Sequence, residues 1–247
     1  MISPVVCTYM RQYYKTDITR LTFGELWRLA PGPAFLFAAV IKILNIKLAV
    51  PNATCRVDKL IILEPATMSK VVRPDTWKRI EECHALGFNF EFWYTVPLIG
   101  GEGYGAVLSS PDRRTIAHVI YSRTVADLIQ ELTIHCFQSR ARDGSPITTG
   151  AKKQQMMPTP GEHVIYRPGF SVAQTWDEHK DFLNRLAAQT VPMDRAAIEQ
   201  FLVDVSNRDV DFNIERGVYV PMTEAEVREL RLKSPPSPVP GILVNAD

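Results

Sequence analysis

The hydrophobic period of the chain changes at Gly87, and this change constrains the fold more than any other feature. Before it, the segment RPDTWKRIEECHALGF carries apolar residues at helical spacing. After it, FNFEFWYTV alternates with a period of two, as a half-buried β-strand does. The alternation predicts an aromatic inner face of the strand that carries Phe90, Phe92 and Tyr94.

Further strand patterns follow along the chain, and short links join them: GYGAVLSS, RTIAHVIYSR, LTIHCFQSR, SPITTG and HVIYRPG. Short links permit antiparallel pairing, whereas parallel neighbours require a crossover of about a dozen residues or more. Helical patterns lie on both sides of this region. We therefore predict an α+β fold, in which an antiparallel meander sheet of about five or six strands is flanked by N-terminal and C-terminal helices.

The chain divides into three predicted segments. Residues 1–54 form an N-terminal helical segment, residues 55–190 an α+β core, and residues 191–247 C-terminal helices followed by a proline-rich tail. Within the first segment, Thr22 and Glu25 have the spacing of a helix capping box. Pro33 suits the first position of the next helix, which is predicted over about residues 33–48.

The longest apolar run of this segment is AFLFAAVIKILNIKLAV, from Ala34 to Val50, and Lys42, Asn45 and Lys47 interrupt it. A lysine at the centre of a membrane-spanning helix costs about 2.5–3.5 kcal/mol. Three alternatives therefore stay open: a buried helix, a helix in the membrane interface, or a true span. We expect a cytoplasmic protein, and contact with a membrane surface through this run, peripheral or anchored at the inner membrane, is a hypothesis.

Composition and charge narrow the classes of partner. The formal net charge of +1 lacks the basic excess of nucleic-acid-binding proteins, so no nucleic acid is expected. The cysteines Cys7, Cys55, Cys83 and Cys136 lie far apart, and no C-x-x-C pair occurs. This spacing indicates free thiols in a reducing compartment. No metal site and no cofactor are predicted.

The segment CFQSRARDGSPITTG, residues 136–150, places a thiol next to His135. Asp143 and Gly144 stand between two strand patterns and predict a hairpin, because glycine accepts the positive φ of a tight turn. Adjacent side chains of a strand point to opposite faces, so His135 and Cys136 cannot form a thiolate–imidazole pair. Cys136 is interpreted as a small buried apolar residue.

A series of short motifs crosses the middle of the chain: SRARDGSPITTG, PTPGEHVIYRPG and WDEHKDFL. Its elements are a DG turn, a threonine pair, a PG step and a helical W-x-x-H: Asp143 and Gly144, Thr148 and Thr149, Pro168 and Gly169, and Trp176 and His179. In this pattern the chain resembles a family of uncharacterised bacterial proteins, a domain of unknown function. The resemblance covers roughly the middle third to half of the chain. It implies no activity and no catalytic residue.

Three histidines are candidates for chemistry. His118 and His135 lie on neighbouring predicted strands, where two imidazoles could meet, although packed histidines are the favoured interpretation. His179 has Leu183, which is not a ligand, at the i+4 position, so a helix packed on the sheet is favoured over a metal site. The glycines of GGEGYG, residues 100–105, lead into a strand and not into a helix, which favours a turn or bulge over a nucleotide-binding loop.

The leading functional hypothesis is a non-catalytic binding or interaction module. A curved sheet would form an apolar, aromatic cleft lined by Phe90, Phe92 and Tyr94, suited to an apolar small molecule or a protein partner. A structural or adaptor protein is the third hypothesis, favoured if the largest exposed apolar patch lies on the N-terminal helices.

The alternative is a hydrolase-type enzyme that uses His118, His135 or His179. Two histidines and a carboxylate that converge within about 5 Å in a cleft would favour the enzyme. Histidines that lie apart would favour the binding module.

Overall fold

The computed structural model describes residues 12–46, 49–96, 99, 101–125 and 129–233. The strands formed by these residues are β1 (Tyr13–Asp17), β2 (Ala49–Cys55), β3 (Ile61–Leu63), β4 (Asn89–Thr95), β5 (Gly101–Ser109), β6 (Thr115–Val125), β7 (Ile129–Arg140), β8 (Pro146–Gly150), β9 (His163–Tyr166) and β10 (Tyr219–Pro221). The helices are α1 (Phe23–Leu29), α2 (Pro33–Ile43), α3 (Pro65–Met68), α4 (Pro74–Ala85), α5 (Val172–Arg185), α6 (Arg195–Glu215) and α7 (Glu224–Lys233).

The larger sheet has seven strands in the order β3-β4-β5-β6-β7-β8-β9. Neighbours from β3 to β8 are antiparallel, which confirms the α+β class and the predicted meander. The prediction is wrong for the last strand, because β9 runs parallel to β8, with Ile147 opposite His163 and Gly150 opposite Tyr166. Residues 151–162 return to the start of β8 and are long enough for this crossover. We call them the crossover segment.

Strand β4 contains a bulge that the alternation of the sequence did not predict. Phe90 pairs with Leu108 and Phe92 with Val107, so Glu91 is an extra residue. The bulge reverses the faces of the residues that follow it. Phe90 packs with the core on one side of the sheet, and Phe92 lies in the core on the other side. The predicted common face for Phe90 and Phe92 is therefore wrong.

Helices cover both faces of the larger sheet. On one face, α4 and α5 contribute Ile80, Cys83 and Val172 to a core that includes the fully buried Trp93. On the other face, α6 contributes several apolar residues, among them Ile198. Full burial of one large apolar side chain stabilises a fold by about 1.5–3 kcal/mol, so these two cores hold the layers together.

The smaller sheet has the order β10-β1-β2. Its strands come from residues 13–17, 49–55 and 219–221, so it joins the predicted N-terminal and C-terminal segments. The sequence patterns did not anticipate this pairing. The predicted boundaries at residues 54 and 190 stay predictions.

The N-terminal helices begin where the sequence predicts. In α1, the Thr22 hydroxyl accepts from the backbone of Glu25, whose carboxylate accepts in turn from the Thr22 backbone, which confirms the capping box. The predicted end of α2 near residue 48 is wrong, because the helix ends at Ile43. Asn45 has a φ of 51°, and the Ile46 backbone donates to the Ile41 carbonyl oxygen, as in a Schellman termination. No helix in the described ranges is long and apolar enough to cross a membrane.

The predicted hairpin joins β7 to β8. Gly144 has a φ of 85°, and the Asp143 carboxylate accepts from the Ser145 backbone at 2.9 Å. Glycine is suited to this backbone conformation because it lacks the Cβ atom that would clash. The DG step is therefore a structural turn.

Candidate functional site

A cavity of about 470 Å³ lies between α6, the crossover segment and the face of the larger sheet that packs on α6. Its volume falls within the range of roughly 300–1,000 Å³ that is usual for small-molecule sites. Apolar side chains form part of its wall, including Ile120, Ile134, Val164 and Leu202. The cavity can therefore hold the apolar part of a ligand.

The strand register places one row of four residues across the sheet wall of the cavity. His118 stands opposite Cys136 on the next strand, Cys136 opposite Gly150, and Gly150 opposite Tyr166. Gly150 leaves room for the Tyr166 ring, since a Cβ atom at this position would lie 3.2 Å from the ring carbon Cδ1. A second glycine, Gly105, has the same function beside Tyr94.

Tyr94 and His118 form a hydrogen-bonded pair in the cavity wall. The Tyr94 hydroxyl oxygen lies 2.7 Å from His118 Nε2. Burial lowers the pKa of His118 to about 4, and Lys152 acts in the same direction. Burial also raises the pKa of Tyr94, so the hydroxyl keeps its proton and can donate it to the neutral imidazole. At neutral pH this pair is uncharged.

Ionisable side chains form another part of the cavity wall: Lys152 and Glu162 from the crossover segment, and Asp209 from α6. Burial and, to a smaller extent, the nearby Asp209 raise the pKa of Glu162 to about 6. Burial also raises the pKa of Asp209, whereas Lys152 opposes this shift. Lys152 Nζ lies 5.1 Å from the centre of the Tyr166 ring. We call Lys152, Glu162 and Asp209 the charged rim.

The two carboxylates of the charged rim form no ion pair with any side chain that the structure describes. Asp209 accepts a hydrogen bond from Asn213 Nδ2 at 3.3 Å. Burial disfavours the charged form of both carboxylates, and the nearby Lys152 offsets this effect only in part. A cationic group in the cavity would relieve this cost.

The cavity contains Cys136 but no reactive thiolate. Burial raises the pKa of Cys136 to about 11, with a smaller opposing effect of Lys152, so the thiol stays protonated at neutral pH. Cys136 is half-buried in the cavity wall and is not the buried residue that the sequence predicts. The ring of His135, the preceding residue, lies on the opposite face of the sheet, as the strand alternation predicts.

The three candidate histidines do not converge. His135 and His118 stand on adjacent strands, but His135 pairs with Val119, and its ring bonds Arg79 of α4 and Thr175 of α5 on the opposite face. His179 is fully buried on that same face.

The ring nitrogens of His179 lie 3.0 Å from Ser139 Oγ and 3.0 Å from Thr149 Oγ1. These contacts agree with the favoured interpretation of a helix packed on the sheet. In the portion of the chain with described coordinates, no three histidine, cysteine or acidic side chains group as a metal site would require.

Of the predicted cleft residues, Tyr94 lines the cavity, whereas Phe90 and Phe92 belong to the two cores. The glycines of GGEGYG from Gly101 onward lie within β5 and not in a turn. Sequence patterns did not identify the charged rim. One signal was available, because Asp209 stands seven residues after Leu202 and four after Val205, within an apolar stripe of α6.

A second surface of interest is the outer side of α1 and α2. Nine of the thirteen exposed large hydrophobic residues in the described ranges occur there: Phe23, Trp27, Leu29, Leu36, Phe37, Val40, Ile43, Leu44 and Ile46. We call these residues the apolar patch. Met156 and Tyr219 pack against the core beneath it and also line the cavity. The helices that carry the patch therefore adjoin the cavity wall.

Comparison with protein-family models, curated proteins and solved structures finds no match for the chain. This result is consistent with the uncharacterised family that the sequence resembles. It shows neither a bacterial origin nor the motif pattern on which the resemblance is based.

Proposed function

We propose that the protein is a non-catalytic binding module that holds a small amphipathic molecule in the cavity. The apolar body of the ligand contacts Ile120, Ile134 and Leu202, and its head group lies at the charged rim. The observation that supports this proposal is a cavity whose wall combines apolar side chains with two carboxylates that form no ion pair with a described side chain. A basic head group, such as a primary amine, matches these carboxylates.

No observation favours the hydrolase hypothesis over this proposal. The candidate histidines lie on different faces of the sheet, and the pKa of each is lowered mainly by burial: His118 and His135 to about 4 and His179 to about 3. A general base for neutral pH requires a pKa near 7. The hydrolase hypothesis stays an untested prediction.

Binding of three ligands with the same alkyl chain tests the proposal. By isothermal titration calorimetry at pH 7.5, we expect decylamine to bind more tightly than decanol and decanol more tightly than decanoate. The double variant Glu162→Gln with Asp209→Asn is expected to weaken decylamine binding at least tenfold, because a charge-assisted hydrogen bond contributes about 1.5–3 kcal/mol. The affinity of the unchanged protein for decylamine should decrease at pH values below 6, where Glu162 becomes protonated.

The control variant is Asp204→Asn, which removes an exposed carboxylate of the same helix that does not line the cavity. It should leave all three affinities unchanged. Absence of binding by any of the three ligands would contradict the cavity proposal, and tighter binding of decanoate would contradict the basic head group.

A stability measurement provides a separate prediction for Glu162. Its pKa of about 6 in the fold exceeds the ordinary 4.5, so the charged form destabilises the folded state above pH 6, and this cost disappears as the pH falls to 4.5. Solvent screening of this partly exposed group reduces the effect, so Glu162→Gln should raise the free energy of unfolding by about 1 kcal/mol at pH 8. Urea denaturation at pH 8 and pH 4.5 measures it, and Asp204→Asn, at an exposed position of α6, is the control. A loss of stability at pH 8 would contradict the charge assignment.

We further propose that the module works in the cytoplasm and rests peripherally on a membrane. Two observations support this location. The cysteines Cys83 and Cys136 are free thiols, as in reducing compartments, and Cys7 lies outside the described residues. The apolar patch exposes a large hydrophobic area, as surfaces that contact a membrane do.

A further inference from the structure

The two sides of α2 are both apolar. Phe35, Ala38 and Ile41 pack against the core beneath the N-terminal helices. Leu36, Phe37, Val40, Ile43 and Leu44 are exposed, and their spacing of i, i+1, i+4, i+7 and i+8 places them on the opposite side of the helix. A surface helix in water usually carries polar residues on its outer side. The outer side of α2 therefore indicates an apolar environment in the working state.

The exposed charged residues within the sequence of α1 and α2 have one sign. Between residues 18 and 46 the charged side chains are Arg20, Glu25, Arg28 and Lys42. Glu25 is fully buried and forms an ion pair with Arg216. The charged side chains of this segment that reach the surface are consequently cationic, and they match the negative charge of phospholipid head groups.

The aromatic residues of the patch also favour the interface of a membrane. Trp27 and Phe37 are 53% and 68% exposed, and large aromatic side chains are favoured at the boundary between head groups and acyl chains. The Trp27 ring packs edge-to-face on Phe35, at 5.2 Å between ring centres, so α1 and α2 present their apolar residues as one unit. An anionic bilayer accounts for both features, because its acyl chains accept the apolar side chains and its head groups attract the cationic ones.

We propose that α1 and α2 lie in the interface of an anionic lipid bilayer, with the apolar patch among the upper acyl chains and with Arg20 and Arg28 near the head groups. This inference rests on the peripheral-membrane part of the proposed function, and it specifies the lipid class and the residues. A ligand with an alkyl chain partitions into such a bilayer, and the neighbouring cavity wall places the proposed binding site beside this source.

Vesicle flotation of the full chain tests the proposal. We expect at least tenfold stronger association with vesicles of phosphatidylcholine and phosphatidylserine than with phosphatidylcholine alone, and a decrease at high salt, which screens exposed charges. The double variant Phe37→Asp with Ile43→Asp should lose at least tenfold in association. The matched control, Leu132→Asp with Leu232→Asp, changes two exposed leucines outside the patch and alters the net charge equally, so its association should decrease much less.

Trp27 supplies a direct optical readout. Its emission should shift to shorter wavelength on anionic vesicles and be quenched by lipids with brominated acyl chains, and Trp27→Phe should abolish most of this signal. Trp77, Trp93 and Trp176 are less exposed and serve as the internal background.

Each other outcome overturns a defined part of the proposal. Equal association with both vesicle types overturns the anionic lipid class but leaves the peripheral location intact. Absence of association with any vesicle overturns the membrane surface entirely, while the decylamine titration still decides the cavity proposal. A patch variant that changes the mass in light scattering and not the vesicle association would assign the patch to contact with a second copy of the chain.

Discussion

Glu25→Gln is expected to lower the free energy of unfolding by about 3–5 kcal/mol at pH 7, the usual cost of breaking a buried ion pair. Its carboxylate is fully buried and accepts from Arg216 at 2.6 Å, from the Met157 backbone at 2.8 Å and from the Thr22 backbone at 2.8 Å. It thus joins α1 to the crossover segment and to the end of α6. The glutamine side chain of the variant is neutral, so the Arg216 charge loses its counter-ion. Urea denaturation followed by circular dichroism measures the loss.

The pH dependence of this contribution follows from the pKa of Glu25. Burial opposes ionisation, but the bonds from Arg216, Thr22 and Met157 prevail and lower the pKa from 4.5 to about 2. The unfolded chain therefore binds the proton more readily, so the stabilisation is present above pH 4.5 and is lost as the pH falls to about 2. The unchanged protein should lose stability over this interval, whereas Glu25→Gln lacks this component.

Glu226 provides a matched control for Glu25. It has the same position in the capping box of α7, where it accepts from the Thr223 backbone, and it pairs with Lys15. Its side chain is 36% exposed, so solvent screens the pair. Glu226→Gln should cost less than about 1 kcal/mol. Equal losses for the two variants would show that capping, and not the buried network, supplies the stabilisation by Glu25.

Gly105→Ala is expected to lower the free energy of unfolding by about 2–3 kcal/mol, as overpacking of a filled site does. A Cβ atom at this position would lie 2.6 Å from Tyr94 Cζ and 2.8 Å from His118 Nε2. Contacts this short force the Tyr94 ring to move, which separates the hydroxyl from the imidazole. The variant should therefore also weaken decanol binding, because the cavity wall changes shape.

The control for Gly105 is Gly24→Ala in α1. The nearest neighbour of its added Cβ atom would be Thr22 Oγ1 at 3.9 Å, an ordinary contact. The change should be neutral or stabilise the protein by up to about 1 kcal/mol, since alanine loses less backbone freedom than glycine in a helix. A Gly105→Ala variant as stable as the unchanged protein would refute the close approach of Tyr94.

Much of the secondary structure could be predicted because its signals are local. The capping box of α1 depends on two residues three positions apart, and the hairpin at Gly144 depends on one residue that accepts positive φ. The separation of His135 from Cys136 follows from strand geometry alone. These predictions hold because the backbone determines them before any distant contact forms.

The bulge in β4 could not be predicted by counting residues. Glu91 is the extra residue, and its carboxylate accepts from Ser109 Oγ at 2.5 Å and pairs with Arg113 at 3.1 Å. Both partners lie about twenty residues away in the sequence, Ser109 at the end of β5 and Arg113 in the turn that follows. Without knowledge of these contacts, a strict period of two in the sequence places Phe90 and Phe92 on the same face of the sheet.

The sequence by itself determined the α+β class, the meander and the turns, since hydrophobic period, capping and glycine conformation act over a few residues. Only the tertiary structure decided the bulge, the parallel β9 and the charged rim. The rim shows the physical reason: Glu162 and Asp209 are 47 positions apart, and each acquires its raised pKa from burial that exists only after α6 packs over the sheet.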